Sequence, residues 1–215
     1  MQDQWVALAA LADPSRRALY DYVRRQGHPV TREMAAEAQR MSRGLAAFHL
    51  DKLVDAGVLT SRYEAPPDEP RGRGRAPKVY EPAGDGMAIT IPRRRYELIA
   101  EILAEAVATD PAHADEAAHR LAHEHGRALG THLSADNLDV VTVLAELGFE
   151  PQRGPDGELL LHNCPFHALA TRHTALVCGL NHALIAGLVN GLGSTDCRAR
   201  LAPRPGACCV RLDDA

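Results

Sequence analysis

The sequence predicts an α+β protein, mainly helical, in three parts, and three observations predict it. Alanine and leucine recur at helical spacing along most of the chain, while aromatic residues make up only 4% of it, so the core is aliphatic and largely helical. Helix-start chemistry recurs at Asp13-Pro14, Thr31, Ser42 and Asp110-Pro111. Strand-like runs are short and fall in two places, within 58–81 and within 149–213. The parts are residues 1–86, 87–133 and 134–215. A length of 215 residues with 46% hydrophobic content is enough for one large domain or two small ones.

Residues 2–12 place Trp5, Leu8 and Leu11 at helical spacing. Asp13 as cap and Pro14 at the first position start a second helix that runs to about Gln26 and stops at Gly27. Thr31 caps a short helix through Ala38, and Ser42 caps a fourth from Arg43 to Ala56, closed by Gly57. Val58-Leu59-Thr60-Ser61-Arg62-Tyr63 and Lys78-Val79-Tyr80-Glu81 read as two strands around a Pro/Gly/Arg loop. Helices, a turn, a longer capped helix and then a hairpin spell a winged helix-turn-helix.

In the fourth helix Ala46, Leu50, Leu53 and Val54 share one face and pack inward, while Arg43, Gly44, Ala47, Phe48 and Asp51 fall largely on the other. In a DNA major groove Arg43 would meet a guanine edge, and Ala47 or Phe48 a thymine methyl. Equally, Phe48 would be half-buried scaffold and Arg43 a phosphate contact. His49 reads as structural. The loop from Arg71 through Arg73 and Arg75 to Lys78 holds four cations and no acid. A wing tip of that composition would follow the DNA backbone or enter the minor groove; the plainer reading is a solvated loop.

The run Ser42-Arg43-Gly44-Leu45-Ala46-Ala47-Phe48-His49-Leu50-Asp51-Lys52-Leu53-Val54-Asp55-Ala56-Gly57-Val58-Leu59, with Leu8-Leu11-Ala12-Asp13-Pro14-Ser15-Arg16-Arg17 before it, resembles the ArsR-type winged-helix repressors over roughly residues 4–82. The resemblance implies a winged-helix fold and double-stranded DNA as partner.

Ile91-Pro92-Arg93-Arg94-Arg95-Tyr96 starts the next helix, with an apolar stripe of Leu98, Ile99, Ile102, Leu103 and Val107. Arg93 to Arg95 are either a second phosphate patch or a solvated helix start. Asp110-Pro111 opens a helix to about His132, on which His119 and His123 stand four apart, as a metal pair or as polar surface. These two helices form the expected dimerisation spacer, because helix-turn-helix proteins read two half-sites of a palindromic operator.

A further helix follows Ser134 and ends at Gly148. Residues 149–152 and 158–162 flank the turn Gly154-Pro155-Asp156-Gly157; short and long helices follow at 166–171 and 174–190; strands are expected at 196–203 and 208–213. This third part, α+β in character, carries all five cysteines. Cys164 lies at a strand end before a helix, where the helix dipole favours a thiolate. Three thiolates from scattered loops suit an iron–sulfur cluster whose fourth ligand comes from elsewhere; three thiolates and a histidine suit zinc. His167 and His173 offer the nitrogen, Cys209 offers a further sulfur, and Cys197 reads as a small core residue. In a strand, Cys208 and Cys209 would point to opposite faces.

Asn163-Cys164-Pro165-Phe166, Leu176-Val177-Cys178 and Gly206-Ala207-Cys208-Cys209-Val210-Arg211-Leu212 are similar to the pattern of the Suf-operon repressor family, which are dimeric winged-helix iron–sulfur regulators. That similarity implies Cys164, Cys178 and Cys208 as cluster ligands, a homodimer, and a redox or iron sensor in the third part. The doubled Cys208-Cys209 and the extra Cys197 depart from the pattern.

Charge is uneven. Residues 1–80 hold 13 Lys and Arg against 10 Asp and Glu, and residues 81–215 hold 11 against 18. A DNA-binding front and a non-binding back have that balance. No paired carboxylates, nucleophile elbow or phosphate loop point to an enzyme. The start of the chain lacks a basic, apolar leader, and no run of about 18 apolar residues is present, so a cytoplasmic protein without a membrane span is expected.

Overall fold

Capping side chains act locally, before any tertiary contact exists, and they start four of the described α-helices. The computed structural model describes residues 4–64, 76–84, 86, 88–135, 138–204 and 206–214. It is α+β and divides into two compact units, Met1–Ile89 and Thr90–Ala215.

In the first unit α1 (Gln4–Ala12) leads into α2 (Pro14–Gln26). The Asp13 carboxylate accepts the Arg16 amide at 2.9 Å, and Gly27 ends α2 in the left-handed region at φ +68°. β1 (Val30–Thr31) passes directly into α3 (Arg32–Ala38), capped by the Thr31 hydroxyl. The Ser42 hydroxyl accepts from Leu45 and starts α4 (Arg43–Asp55). β2 (Leu59–Tyr63) and β3 (Lys78–Pro82) pair antiparallel, with Leu59 opposite Pro82 and Tyr63 opposite Lys78. β1 lies on the other side of β3. A two-residue strand has too little periodicity to read from sequence; only its pairing defines it. Leu19, Val23, Val30, Leu50, Leu53, Leu59 and Tyr80 form the core. Each aliphatic side chain buried there contributes about 1.5–3 kcal/mol. The expected wing cations Arg71, Arg73 and Arg75 lie outside the described residues.

The second unit runs through α5 (Tyr96–Thr109), a 3-10 turn (Pro111–His113), α6 (Ala114–Ser134), α7 (Val140–Leu147), β4 (Pro151–Arg153), β5 (Leu159–Leu161), α8 (His167–Ala170), α9 (Thr174–Gly191), β6 (Cys197–Leu201) and β7 (Val210–Asp214). Its sheet has the order β4-β5-β7-β6 and is antiparallel throughout. Residues 87–133 and 134–215, separated in the sequence reading, share one core here: Ile99, Ile102, Ala118 and Ala122 pack with Leu144, Leu161, Leu184 and Val210. The physical reason is that α9 buries the inner faces of the helices before it.

The α6–α9 approach depends on glycine. A methyl group on Gly187 would sit 2.0 Å from the His123 carbonyl oxygen, and one on Gly126 would sit 2.0 Å from that of Leu184. Two backbones meet this closely only where Cβ atoms are missing.

Three boundaries differ from expectation. α5 begins at Tyr96 rather than among the arginines, because Arg93 to Arg95 are bonded to other segments. α7 begins at Val140 because Asp139, rather than Ser134, is its cap and accepts the Thr142 amide at 2.6 Å. β7 begins at Val210, so Cys208 and Cys209 precede the strand. Among the described residues α9 is the one helix long and apolar enough to cross a membrane, and half of it is covered by the protein's own core.

Candidate functional site

The site is built from the end of β5. The Cys208 amide donates to the Leu161 carbonyl at 2.9 Å, which pins Cys208 beside the chain leaving β5. That chain is His162-Asn163-Cys164-Pro165. Its path is fixed by backbone bonds from His162 to the Glu150 carbonyl and from Asn163 to the Phe149 carbonyl, at 3.1 and 3.0 Å. Phe149 and Phe166 meet edge to face beneath it, with centroids 6.3 Å apart. From the opposite side α9 presents Cys178 and, one turn later, Asn181.

The result is a string of sulfurs in the core. Cys208 lies beside Cys164 and Cys209, and Cys209 beside Cys178, close enough for these sulfurs to shift one another's acidity. Their exposures are 7%, 1%, 8% and 7% for Cys164, Cys208, Cys209 and Cys178. Asn181 is fully buried; its Nδ2 donates to the Cys208 sulfur at 3.1 Å, and its Oδ1 has no hydrogen-bond partner.

The electrostatics are uneven within the string. Cys208 is held well below the usual thiol range by hydrogen bonds from Cys164 and Cys209, against burial, with further help from the Val210 amide and Asn181. Cys164 is pushed up, first by that same bond to Cys208 and then by burial. Cys209 is pushed up by Cys208, by burial and by Cys178. Within this group the anionic form is favoured on Cys208 and disfavoured on Cys164 and Cys209.

Cys164, Cys178 and Cys208, the three sulfurs singled out in the sequence, are brought together, and Cys209 joins them. The expectation that Cys208 and Cys209 face opposite ways does not hold, because strand alternation begins only at Val210. His167 and His173 are both exposed and stand apart from the buried sulfurs. Cys197 is not a neighbour of Cys208 and Cys209: it pairs with Asp214 at the far end of the hairpin, and its sulfur lies 3.5 Å from the Ser194 hydroxyl. His119 and His123 lie on α6, where His119 bonds the Asp115 carbonyl and His123 meets Asn190.

The donor set is all sulfur, buried, and supported by an amide N–H. That chemistry fits soft, thiophilic metals: zinc, or iron in a sulfur cluster. Among the described residues no group of three or more Cys, His, Asp or Glu side chains is placed to hold a metal ion, and all five cysteines are free thiols.

The Cys164 segment is also latched to the start of the unit. Arg94 donates from one Nη1 to Asn163 Oδ1 at 2.8 Å and to the Cys164 carbonyl at 2.7 Å. The Arg95 amide donates to the Pro165 carbonyl at 3.1 Å. The Asn163 amide donates in turn to the Gly148 and Arg93 carbonyls. Arg93 and Arg95 each donate to the Glu146 carbonyl at 3.2 Å. Arg93 and Arg95 are exposed, and Arg95 stands at the N-cap of α5, while Arg94 is half-buried against the Cys164 segment. By sequence the Asn181-His182 pair reads either as a partner behind the ligands or as surface, and Asn181 is fully buried. Its signal in the chain is an amide three residues after Cys178 in a largely apolar helix that also carries His182 and Asn190.

In the first unit, α4 turns Arg43, Gly44 and Phe48 to solvent, Phe48 being 54% exposed, with Ala47 half-buried. His49 is buried and meets the Phe48 ring edge to face. Asp51 is drawn toward β3, where Lys78 donates to it at 2.6 Å and the Tyr80 hydroxyl at 2.9 Å. Lys78 is therefore already paired within the chain. Burial, and then the Asp51 bond, push the Tyr80 hydroxyl up, so it remains a donor.

Compared with protein-family models, with curated proteins and with solved structures, the chain matches none of them.

Proposed function

We propose that the protein is a DNA-binding transcriptional regulator, a repressor, whose second unit holds an iron–sulfur cluster on its buried cysteines and so senses redox or iron status. The observation that carries this reading is the convergence of four buried sulfurs, from three separate segments, in one aliphatic core. Buried cysteine is a common core residue singly; four brought side by side in one core support reading them as a donor set.

In this reading the first unit is a winged helix. Arg43, Ala47 and Phe48 on α4 face the DNA groove, and Arg71, Arg73, Arg75 and Lys78 belong to the wing. Lys78 reaches phosphate only by leaving Asp51. The protein acts as a cytoplasmic homodimer on a palindromic operator.

Cys164, Cys178 and Cys208 hold the cluster, and Cys209 supplies the fourth sulfur. When bound, the group contributes thiolate–metal bonds that are made or lost with iron supply and oxidation. Thiols bind metal as thiolates, so loading the site would release protons, and Cys208, held below the usual thiol range, would give up its proton most readily. Asn163 and Arg94 hold the Cys164 segment against the start of α5. Loss of the ligands frees that segment, and the bonds to Arg94 and Arg95 carry the change to residues 90–95, where the chain enters the second unit. A coupling of about 1–3 kcal/mol changes operator affinity roughly 5- to 150-fold.

A zinc or thiol-redox centre is the second reading, favoured by the same sulfur-only donor set. Anaerobic purification with an absorption spectrum and iron, sulfide and zinc analysis separates them. Iron with acid-labile sulfide in a brown protein is expected; a colourless protein with one zinc per chain would remove the cluster.

A further inference from the structure

We infer that Asn181 is a positioning residue for a metal held by the buried cysteines: its side-chain N–H fixes the Cys208 sulfur as a ligand. This rests on the reading that these cysteines hold a thiophilic metal, though not on iron being that metal.

Two independent observations carry it. The first is the bond itself. Asn181 Nδ2 stands 3.1 Å from the Cys208 sulfur, and Asn181 lies one helical turn from Cys178 on α9, so one helix supplies both a ligand and an amide to the same group of sulfurs. The second is the cost of keeping the residue. Asn181 has no exposed surface, and Leu180, Leu184 and Ile185 of the same helix are buried with it. Its Oδ1 is buried without a hydrogen-bond partner. An unpaired buried acceptor is unfavourable, and a leucine of similar volume would fill the site without leaving one. Folding alone therefore gives no reason for an amide here.

The N–H gives one. An anionic sulfur in an apolar core is stabilised by each donor aimed at it. A thiol bound to metal has no proton left to donate, so Cys164 and Cys209, as fellow ligands, could not donate to the Cys208 sulfur. Of the side-chain donors, the Asn181 amide is the one that remains after metal enters. It then does what outer partners do for metal ligands: it fixes the orientation of the ligand and offsets the charge collected on sulfur.

The test uses the full-length, reduced, metal-free protein and cobalt(II) as the probe. Asn181→Leu is expected to weaken cobalt binding about 10- to 100-fold. Its sulfur-to-cobalt charge-transfer bands should move to longer wavelength, because an undonated sulfur is more easily oxidised. The metal-free variant should be at least as stable as the parent in urea. Equal cobalt affinity with unshifted bands overturns the inference, as does a parent protein that binds no cobalt. Should the leucine variant fail to fold, the parent loaded with cadmium-113 and nitrogen-15-labelled at asparagine decides instead. A scalar coupling between an Asn181 amide proton and cadmium supports the inference, and its absence overturns it. Iron and sulfide analysis of the anaerobically isolated parent stands apart. Cobalt weakening with no iron removes the cluster and keeps Asn181; iron with no cobalt weakening does the reverse.

Discussion

Asn163 shows how one side chain can join sequence-distant parts of the second unit. Its carbonyl oxygen accepts from Arg94 and its amide donates to the Gly148 and Arg93 carbonyls. The residue before Cys164 is thus bonded on both ends of its side chain, and the Cys164 carbonyl takes a second bond from the same arginine. Removing the guanidinium leaves the half-buried Asn163 oxygen unpaired. Arg94→Met is expected to destabilise the protein by about 2 kcal/mol, the scale of a hydrogen bond to a charged group. A drop in urea midpoint at unchanged denaturant slope checks it. A similar economy of contacts operates on Lys78, where Asp51 and the ring of Tyr80 hold a cation that the composition of the loop alone assigns to DNA.

At the scale of elements, the contact between α6 and α9 decides whether the sulfurs meet. α9 carries Cys178 and Asn181, and its depth in the core is set by Gly187 and Gly191 lying against the α6 backbone at His123 and Arg127. A methyl at position 187 has no room and no flexible neighbour to displace, since the nearest atoms are backbone. Gly187→Ala should cost about 1–3 kcal/mol, as overpacking of a tight core does. Differential scanning calorimetry reads the loss as a lower Tm. In the cluster-bound protein the same substitution should reduce iron per chain, because it moves Cys178 relative to Cys164 and Cys208.

For the whole molecule, the two units divide the chemistry: solvent-facing α4 in Met1–Ile89, buried sulfurs in Thr90–Ala215. The proposed regulator needs both. Each phosphate contact adds about 0.9 to the slope of log affinity against log salt. Replacing Arg73 and Arg75 with alanine should therefore weaken DNA binding for all sequences and flatten that slope by about 2 units. Fluorescence anisotropy with a labelled duplex across a salt series measures it; an unchanged slope would take those two arginines off the DNA.

The helices of both units were legible in the chain because their boundaries are local. Asp13, Thr31 and Ser42 cap with their own side chains, and Gly27 and Gly57 close turns that need positive φ. The choice of Cys164, Cys178 and Cys208 was legible as a pattern too. Other features depended on contacts between residues far apart in sequence. Strand β1 exists only through its pairing with β3. Cys209 joins the sulfurs because β7 starts after it, and His167 and His173 stay outside because their short helix and its flank face solvent. The roles of Arg94 and Asn181 depend on partners 69 and 27 residues away. By itself the sequence determined where the capped helices of the first unit begin and end. Tertiary structure alone decided which of those side chains meet, because burial and long-range hydrogen bonding are properties of the packed core and leave no periodic mark in the chain.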